Sequence, residues 1–208
     1  MDRTRLVTGP ERRGSGLRRA LGPLAAGAVA LAKWSFVLVK FGSIFIAVAA
    51  YALIWGWKFA VGFVALILVH ELGHYLEALR EGLHPRLPVF IPLLGAYVQF
   101  TRGNPWQTAR VAVAGPILGG VASLVLYVVS RSNGSDLLSA LAYSGFFLNL
   151  INLLPFGILD GGQVWRSANW LRMGGGAAKA TFVYTLYFAT AAGLVFGMVA
   201  AHVEQTRL

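Results

Sequence analysis

The sequence contains no cysteine and few charged residues. Without cysteine, the chain has neither a disulfide framework nor a thiolate metal site. Charged residues make up 12% of its 208 residues and hydrophobic residues 57%, and this charged share is about half that of an average soluble domain. The chain also lacks a polar linker that would divide it into two domains. These absences predict an all-α, polytopic membrane protein that folds as one bundle.

Acidic residues are scarce as well. The chain has 8 aspartate and glutamate residues against 18 lysine and arginine residues, which gives a net charge of +10. A nucleic-acid-binding protein would present a continuous basic face. Here the basic residues lie in a polar N-terminal stretch and in short loops between apolar runs. We therefore expect these basic residues to lie next to the lipid bilayer, and we predict no nucleic-acid partner.

Apolar runs of about 20 residues, the length needed to cross a membrane, recur along the chain. We predict about five transmembrane helices, over residues 34–57, 59–79, 108–130, 137–154 and 180–201. Residues 87–100 are also apolar, but their prolines and glycine disfavour a helix. That stretch predicts a short re-entrant segment or β-hairpin.

Lysine and arginine are distributed unevenly between the two sides of this bundle. With the N-terminus in the cytoplasm, five spans place fifteen of them inside and only Lys58, Arg131 and Arg207 outside. The positive-inside rule favours this orientation. We expect a basic cytoplasmic segment over residues 1–19, followed by a single membrane core over residues 20–208. The compact, cysteine-free, arginine-rich chain suggests a prokaryotic plasma membrane.

The apolar stretch at residues 20–32 is too short to span alone. Together with the basic residues before it, the stretch resembles a cleavable secretory signal. The distribution of lysine and arginine satisfies the positive-inside rule with this stretch retained. This favours a basic amphipathic segment lying on the membrane surface.

The most specific motif is His70-Glu71-Leu72-Gly73-His74, an H-E-x-x-H pattern inside the second predicted span. Residues four apart share one face of a helix, so both imidazoles can reach one zinc ion. Glu71 lies beside them, where it can take a proton from a water molecule at the metal. The alternatives are a chance match or two histidines hydrogen-bonded in a polar pocket. Titratable side chains at membrane depth more often mark function.

A catalytic zinc ion usually has three protein ligands and one open position. The longer pattern with a third histidine fails, because Glu77 and Arg80 stand where it requires glycine and histidine. Asp160 remains among the later carboxylates, beyond a helix break at Pro155. On the residues alone, metal ligand and N-cap of the next helix are equally good roles for Asp160. His84, in a polar loop, is the second choice for a metal contact.

Three further motifs follow in an order found in a known protein family. P-L-L-G-A-Y-V occupies residues 92–98, A-G-P residues 114–116, and N-x-x-P-x-x-x-x-D-G residues 152–161. Together with H-E-x-x-H, they make residues 64–165 resemble the site-2 protease family of intramembrane zinc metalloproteases. The resemblance implies one zinc ion per chain, held by His70, His74 and Asp160, with Glu71 as the catalytic base.

The same resemblance implies peptide-bond hydrolysis within single-pass membrane proteins, that is, regulated intramembrane proteolysis. A substrate helix must unwind there, and the hairpin around Gly95 could pair with it as an added strand. Asn149 and Asn152, one helical turn apart, could hydrogen-bond the exposed backbone. For this pair, hydrogen bonding between helices is the alternative.

The chain departs from the family pattern at residues 156–158, where relatives often have prolines, and at Ala96, where they often have glycine. No stretch matches the PDZ domain that many relatives insert, so we expect a minimal form without one. Two rival functions use the same ligands. A zinc transporter or sensor would favour polar residues along several spans, and an inactive substrate-binding relative would not need Glu71.

Glycine pairs four residues apart occur in the third and fifth predicted spans, at Gly115 and Gly119 and at Gly193 and Gly197. Such pairs let membrane helices approach closely. We predict a packing role for both pairs and no catalytic one.

Overall fold

The computed structural model describes residue 27 and residues 42–205. The predicted basic segment at residues 1–19 and the beginning of the first predicted span at residues 34–41 lie outside this range. So does the predicted surface segment at residues 20–32, apart from residue 27. The described part is mostly helical and contains one small antiparallel hairpin, as predicted. Its elements are α1 (Gly42–Trp55), α2 (Trp57–Arg80), β1 (Val89–Ile91), β2 (Gly95–Tyr97), α3 (Pro105–Asn133), α4 (Asp136–Asn152), α5 (Asp160–Met173) and α6 (Ala177–Gln205).

Three of the described helices, α2, α3 and α6, are long and apolar enough to cross a membrane. Helix α1 is apolar but shorter over its described residues. Helix α4 has 17 residues, slightly fewer than the roughly 20 that a perpendicular span needs. The protein is thus a membrane protein with three candidate spans in the described part of the chain, and five spans remain a prediction.

Helix α3 has strong signals at both ends. The Asn104 side chain accepts a hydrogen bond from the backbone N–H of Gln107, and the Gln107 side chain accepts one from that of Asn104, both at 3.0 Å. This capping box satisfies two backbone donors that the first turn leaves free. Gly134, with φ of 66°, ends the helix in the left-handed conformation. These caps fix the register of α3, which packs against α2, α4, α5 and α6.

The larger buried cluster joins α3, α4, α5 and α6 through side chains such as Val113, Phe146, Val164 and Leu194. A second cluster joins α1 and α2 to the hairpin. Many large apolar side chains point outward, for example Phe196, which is 77% exposed. Apolar outer surfaces of this extent suit a lipid environment.

The predicted hairpin forms at residues 87–100. Strand β1 pairs antiparallel with β2, and the turn between them uses positive φ angles at Leu93 (63°) and Gly95 (101°). Phe90 is buried in the second cluster, and its backbone N–H donates to the Ser43 hydroxyl at 3.3 Å. The hairpin is therefore attached to α1 and α2, and its second strand faces the site described next.

Candidate metal centre

His70, His74 and Asp160 form one buried group that could hold a metal ion. The Nε2 atoms of the two histidines are 3.1 Å apart, and each lies 3.2 Å from Asp160 Oδ2. All three residues are less than 10% exposed. The structure therefore brings together the three predicted ligands, two from α2 and one from the start of α5. Their role as ligands remains a prediction.

The second nitrogen of each imidazole has its own oxygen partner. His70 Nδ1 lies 2.7 Å from Asn149 Oδ1, and His74 Nδ1 lies 2.8 Å from the carbonyl oxygen of Val111. Both oxygens are acceptors, so both Nδ1 atoms carry the proton and donate. In the neutral rings the lone pairs are then on Nε2, at the centre of the group.

Three acceptor atoms thus converge on one point. Asp160 Oδ2 is buried without a hydrogen-bond partner in the described part of the chain, and two Nε2 lone pairs face it. A cation between them removes this repulsion. Tetrahedral zinc, with ligand bonds of about 2.0–2.1 Å, keeps its ligand atoms about 3.3 Å apart, close to the observed 3.1 and 3.2 Å. The residues fit a zinc ion.

Asp160 reaches the histidines because the chain breaks between α4 and α5. Helix α4 ends at Asn152, and Gly157 adopts φ of 63° in the turns that follow. Leu159 occupies the N-cap position of α5 and Asp160 is its first residue, so Asp160 is not the cap. Its side chain instead offers a carboxylate oxygen to the group that it forms with the two histidines.

Gly161 allows this break to close tightly. A Cβ atom at this position would overlap the carbonyl group of Leu153. The same carbonyl oxygen accepts a hydrogen bond of 2.6 Å from the Tyr187 hydroxyl of α6. Gly161 and Tyr187 thus both contact the Leu153 carbonyl group, which fixes the segment before Asp160.

Glu71 is 5% exposed and lies on α2 between the two histidines. Its Oε2 atom is buried without a hydrogen-bond partner among the described residues. A buried carboxylate oxygen without a partner is costly. Glu71 Oε2 can therefore interact with a water molecule or a substrate in the adjoining cavity.

This cavity has a volume of about 210 Å³ and is lined by the three predicted ligands and Glu71. Residues 96–98 of the hairpin line one part of it, and Leu94 and Ile158, which are 83% and 92% exposed, lie at its margin. The cavity therefore combines a polar centre with apolar walls.

The predicted substrate-binding residues have different positions. Asn152 lines the cavity and donates to the carbonyl of Leu148 at 3.1 Å. Asn149 is fully buried and contacts His70 instead, which matches the interhelical alternative. Gly95 lies at the turn of the hairpin, while the residues after it face the cavity.

Two neighbouring acidic residues are neutralised by arginine. Glu77 pairs with Arg80 at 3.2 Å and with Arg110 at 2.6 Å, and Arg110 also pairs with Glu81 at 2.6 Å. Glu77 is buried one turn beyond His74, yet it does not belong to the metal-binding group. This cluster joins the end of α2 to α3.

Sequence reasoning missed the partners of the two imidazoles. The partner of His74 is a main-chain carbonyl, that of Val111, so no pattern of side chains in the sequence indicates it. For Asn149, the sequence predicted either a hydrogen bond to the substrate backbone or one between helices, without identifying His70 as the partner. The available signal was a polar amide among the apolar residues 146–151, since an amide in such surroundings favours a hydrogen-bonding partner.

The model of peptidase family M50 matches residues 58–144 and 130–196. The chain belongs to this family. The resemblance to site-2 proteases that the motifs indicate is thereby confirmed. The M50 match includes both histidines, Asp160 and the hairpin.

Two curated relatives are named as zinc metalloproteases. The "Putative zinc metalloprotease sll0528" of Synechocystis is 34% identical over 113 residues, which cover 51% of this M50 chain and 30% of that protein. The "Zinc metalloprotease MJ0392" of Methanocaldococcus jannaschii is 28% identical over 138 residues, covering 64% and 40%. The chain thus spans less than half the length of either relative.

Proposed function

We propose that the protein is an intramembrane zinc endopeptidase that cleaves single-pass membrane proteins within their spanning segments, as in regulated intramembrane proteolysis. The observation that carries this proposal is the convergence of His70 Nε2, His74 Nε2 and Asp160 Oδ2 within 3.2 Å, with Glu71 buried beside them. Membership of family M50 and the relatives named as zinc metalloproteases support the metal and the reaction.

His70, His74 and Asp160 would hold one zinc ion. A bound zinc ion supplies Lewis-acid chemistry: it polarises a carbonyl group and lowers the pKa of water toward about 7. The buried, partly apolar setting strengthens such electrostatic effects.

Glu71 acts as general base and then as general acid. Its carboxylate accepts a proton from the attacking water while the new C–O bond forms at the peptide carbonyl carbon. When the C–N bond breaks, Glu71 returns the proton to the leaving amine. The Oε2 atom without a partner is available for both transfers.

The hairpin and Asn152 position the substrate. Within the described residues, β2 pairs with β1 only, so its other edge can receive an extended peptide as an added strand. Residues 96–98, which line the cavity, would then hold the scissile segment beside Glu71. The Asn152 side chain adds a hydrogen bond to the peptide backbone.

The site lies within the membrane. His70 is 13 residues from Trp57, the first residue of α2, or about 20 Å along the helix axis. With a cytoplasmic N-terminus, this depth corresponds to the inner half of a prokaryotic plasma membrane. Water would then enter from the cytoplasmic side.

The test is cleavage of a model single-pass substrate in liposomes by the parent protein and by Glu71→Gln. We expect the variant to retain zinc and to lose at least about 100-fold in rate, because general acid–base catalysis contributes 10²–10⁴-fold. Glu81→Gln is the matched control, since Glu81 lies outside the cavity and its replacement should leave cleavage near the parent rate.

Full cleavage by Glu71→Gln would refute the role of Glu71. Zinc uptake into vesicles without any cleavage by the parent would favour the transporter instead. A parent that binds substrate but neither cleaves it nor transports zinc would favour the inactive relative.

A further inference from the structure

We propose that Asn149 is a positioning residue that fixes the orientation and tautomer of His70 and so sets the metal affinity of the site. The inference rests on the proposed metal site. It concerns a contact that Asn149 of α4 makes with α2, and Asn149 itself lies outside the ligand set and outside the substrate cavity.

The orientation of the Asn149 amide follows from its other contact. Its Nδ2 group donates to the carbonyl of Gly145 at 2.7 Å. The remaining amide atom, Oδ1, therefore faces His70 Nδ1, at 2.7 Å. An amide oxygen can only accept, so His70 must donate from Nδ1. This leaves Nε2, the atom that faces His74 and Asp160, without a proton and able to bind a metal.

The position of Asn149 is itself fixed by α3. The residue is fully buried, and a Cβ atom at Gly119 would overlap its side-chain amide. In the same way, a Cβ atom at Gly115 would overlap the His74 ring. The Gly115 and Gly119 pair, predicted only to allow helix packing, thus makes room for one ligand and for the partner of the other.

Loss of the amide oxygen should weaken the metal site without removing a ligand. The buried Nδ1–H of His70 would have no acceptor, which favours the tautomer that carries its proton on Nε2. That proton occupies the metal-binding lone pair. Removal of comparable outer partners typically costs about 10–100-fold in metal affinity or activity.

The experiment is a competition titration of zinc against a chromophoric chelator, using the full chain in detergent. Asn149→Leu should weaken zinc binding about 10–100-fold. Asn149→Asp retains an acceptor for His70 and should bind zinc about as tightly as the parent. Ser123→Ala is the matched control, because Ser123 is buried against Gly145 of α4 but its own hydrogen bond, to the Gly119 carbonyl at 2.8 Å, lies within α3 and involves neither histidine. This variant should not change zinc affinity.

Two further measurements keep the inference testable if Asn149→Leu does not fold. Gly119→Ala should displace the Asn149 amide and weaken zinc binding in the same direction. In the zinc-loaded parent, ¹⁵N NMR of the imidazoles should show His70 protonated on Nδ1 and bound through Nε2.

Parent-like zinc affinity in Asn149→Leu, or in Gly119→Ala where Asn149→Leu does not fold, would overturn the inference. Coordination through His70 Nδ1 would also overturn it. Either result would leave the proposed protease intact, provided that the parent binds zinc and cleaves. A parent that binds no zinc would instead refute the proposed function.

Discussion

The residues of the metal-binding group differ in what holds them. His74 donates to a main-chain carbonyl, that of Val111, whereas His70 donates to a side chain, that of Asn149. Asp160 Oδ2 has no partner among the described residues. The aspartate is thus held mainly by the backbone of the α4–α5 break.

Replacing Asp160 tests the group at the scale of one residue. Asp160→Asn removes a charged oxygen ligand but preserves the size of the side chain. We expect the zinc content of the purified protein to fall well below one ion per chain, measured by elemental analysis. Asp136→Asn, in the first turn of α4 and outside the metal-binding group, should retain full zinc content. Equal zinc content in both variants would show that Asp160 is not a ligand.

At this scale the sequence predicted the group itself but not its supports. The spacing of His70 and His74 follows from helix geometry, and the family motif identified Asp160. The contact between His70 and Asn149 joins residues 79 positions apart, and no local pattern encodes such a pairing.

At the scale of elements, the break between α4 and α5 determines where Asp160 lies. Gly161 passes so close to Leu153 that it has no room for a side chain, and Tyr187 fixes the same carbonyl from α6. The glycine after Asp160 is therefore needed for close approach and not for a special φ angle.

Gly161→Ala should displace this segment. We expect a lower unfolding temperature, corresponding to about 1–3 kcal/mol for an overpacked buried site, together with weaker zinc binding. Gly193→Ala is the control, because Gly193 lies in a helix with nothing near its Cβ position, where alanine should stabilise by about 0.5–1 kcal/mol. Thermal unfolding monitored by circular dichroism would distinguish them. Equal unfolding temperatures for the two variants would contradict the close packing at Gly161.

Helices α2, α3, α4 and α6 and the hairpin were predicted within a few residues, because apolar runs and helix breakers are local signals. The hairpin follows from the proline and glycine residues between positions 88 and 95. Three of the described helices are long and apolar enough to span, against about five spans predicted. Helix α4 is shorter than a usual span, and the first predicted span begins outside the described residues.

At the scale of the whole molecule, the metal-binding group links α2 to α5, two elements far apart in the sequence. A ligand that binds only the folded state stabilises it, by about 4 kcal/mol at a thousand times its dissociation constant. A bound zinc ion should therefore contribute to the stability of the entire bundle.

Removing zinc with a chelator should accordingly lower the unfolding temperature of the parent. The same treatment should change that of Asp160→Asn much less, because that variant holds little zinc to lose. Thermal unfolding in detergent with and without chelator, followed by zinc addition, measures both effects. A parent whose unfolding temperature does not respond to the chelator would not depend on the metal for its stability.

The main-chain partner of His74 has an evolutionary consequence. Every amino acid supplies a carbonyl oxygen, so genetic drift at position 111 is limited only by the buried space there and cannot abolish that support. Position 149 has no such protection, since a single codon change can remove its amide. The hydrogen-bond partner of His70 is therefore more easily lost by mutation than that of His74. In a diverging lineage we expect the partner of His70 to be lost first.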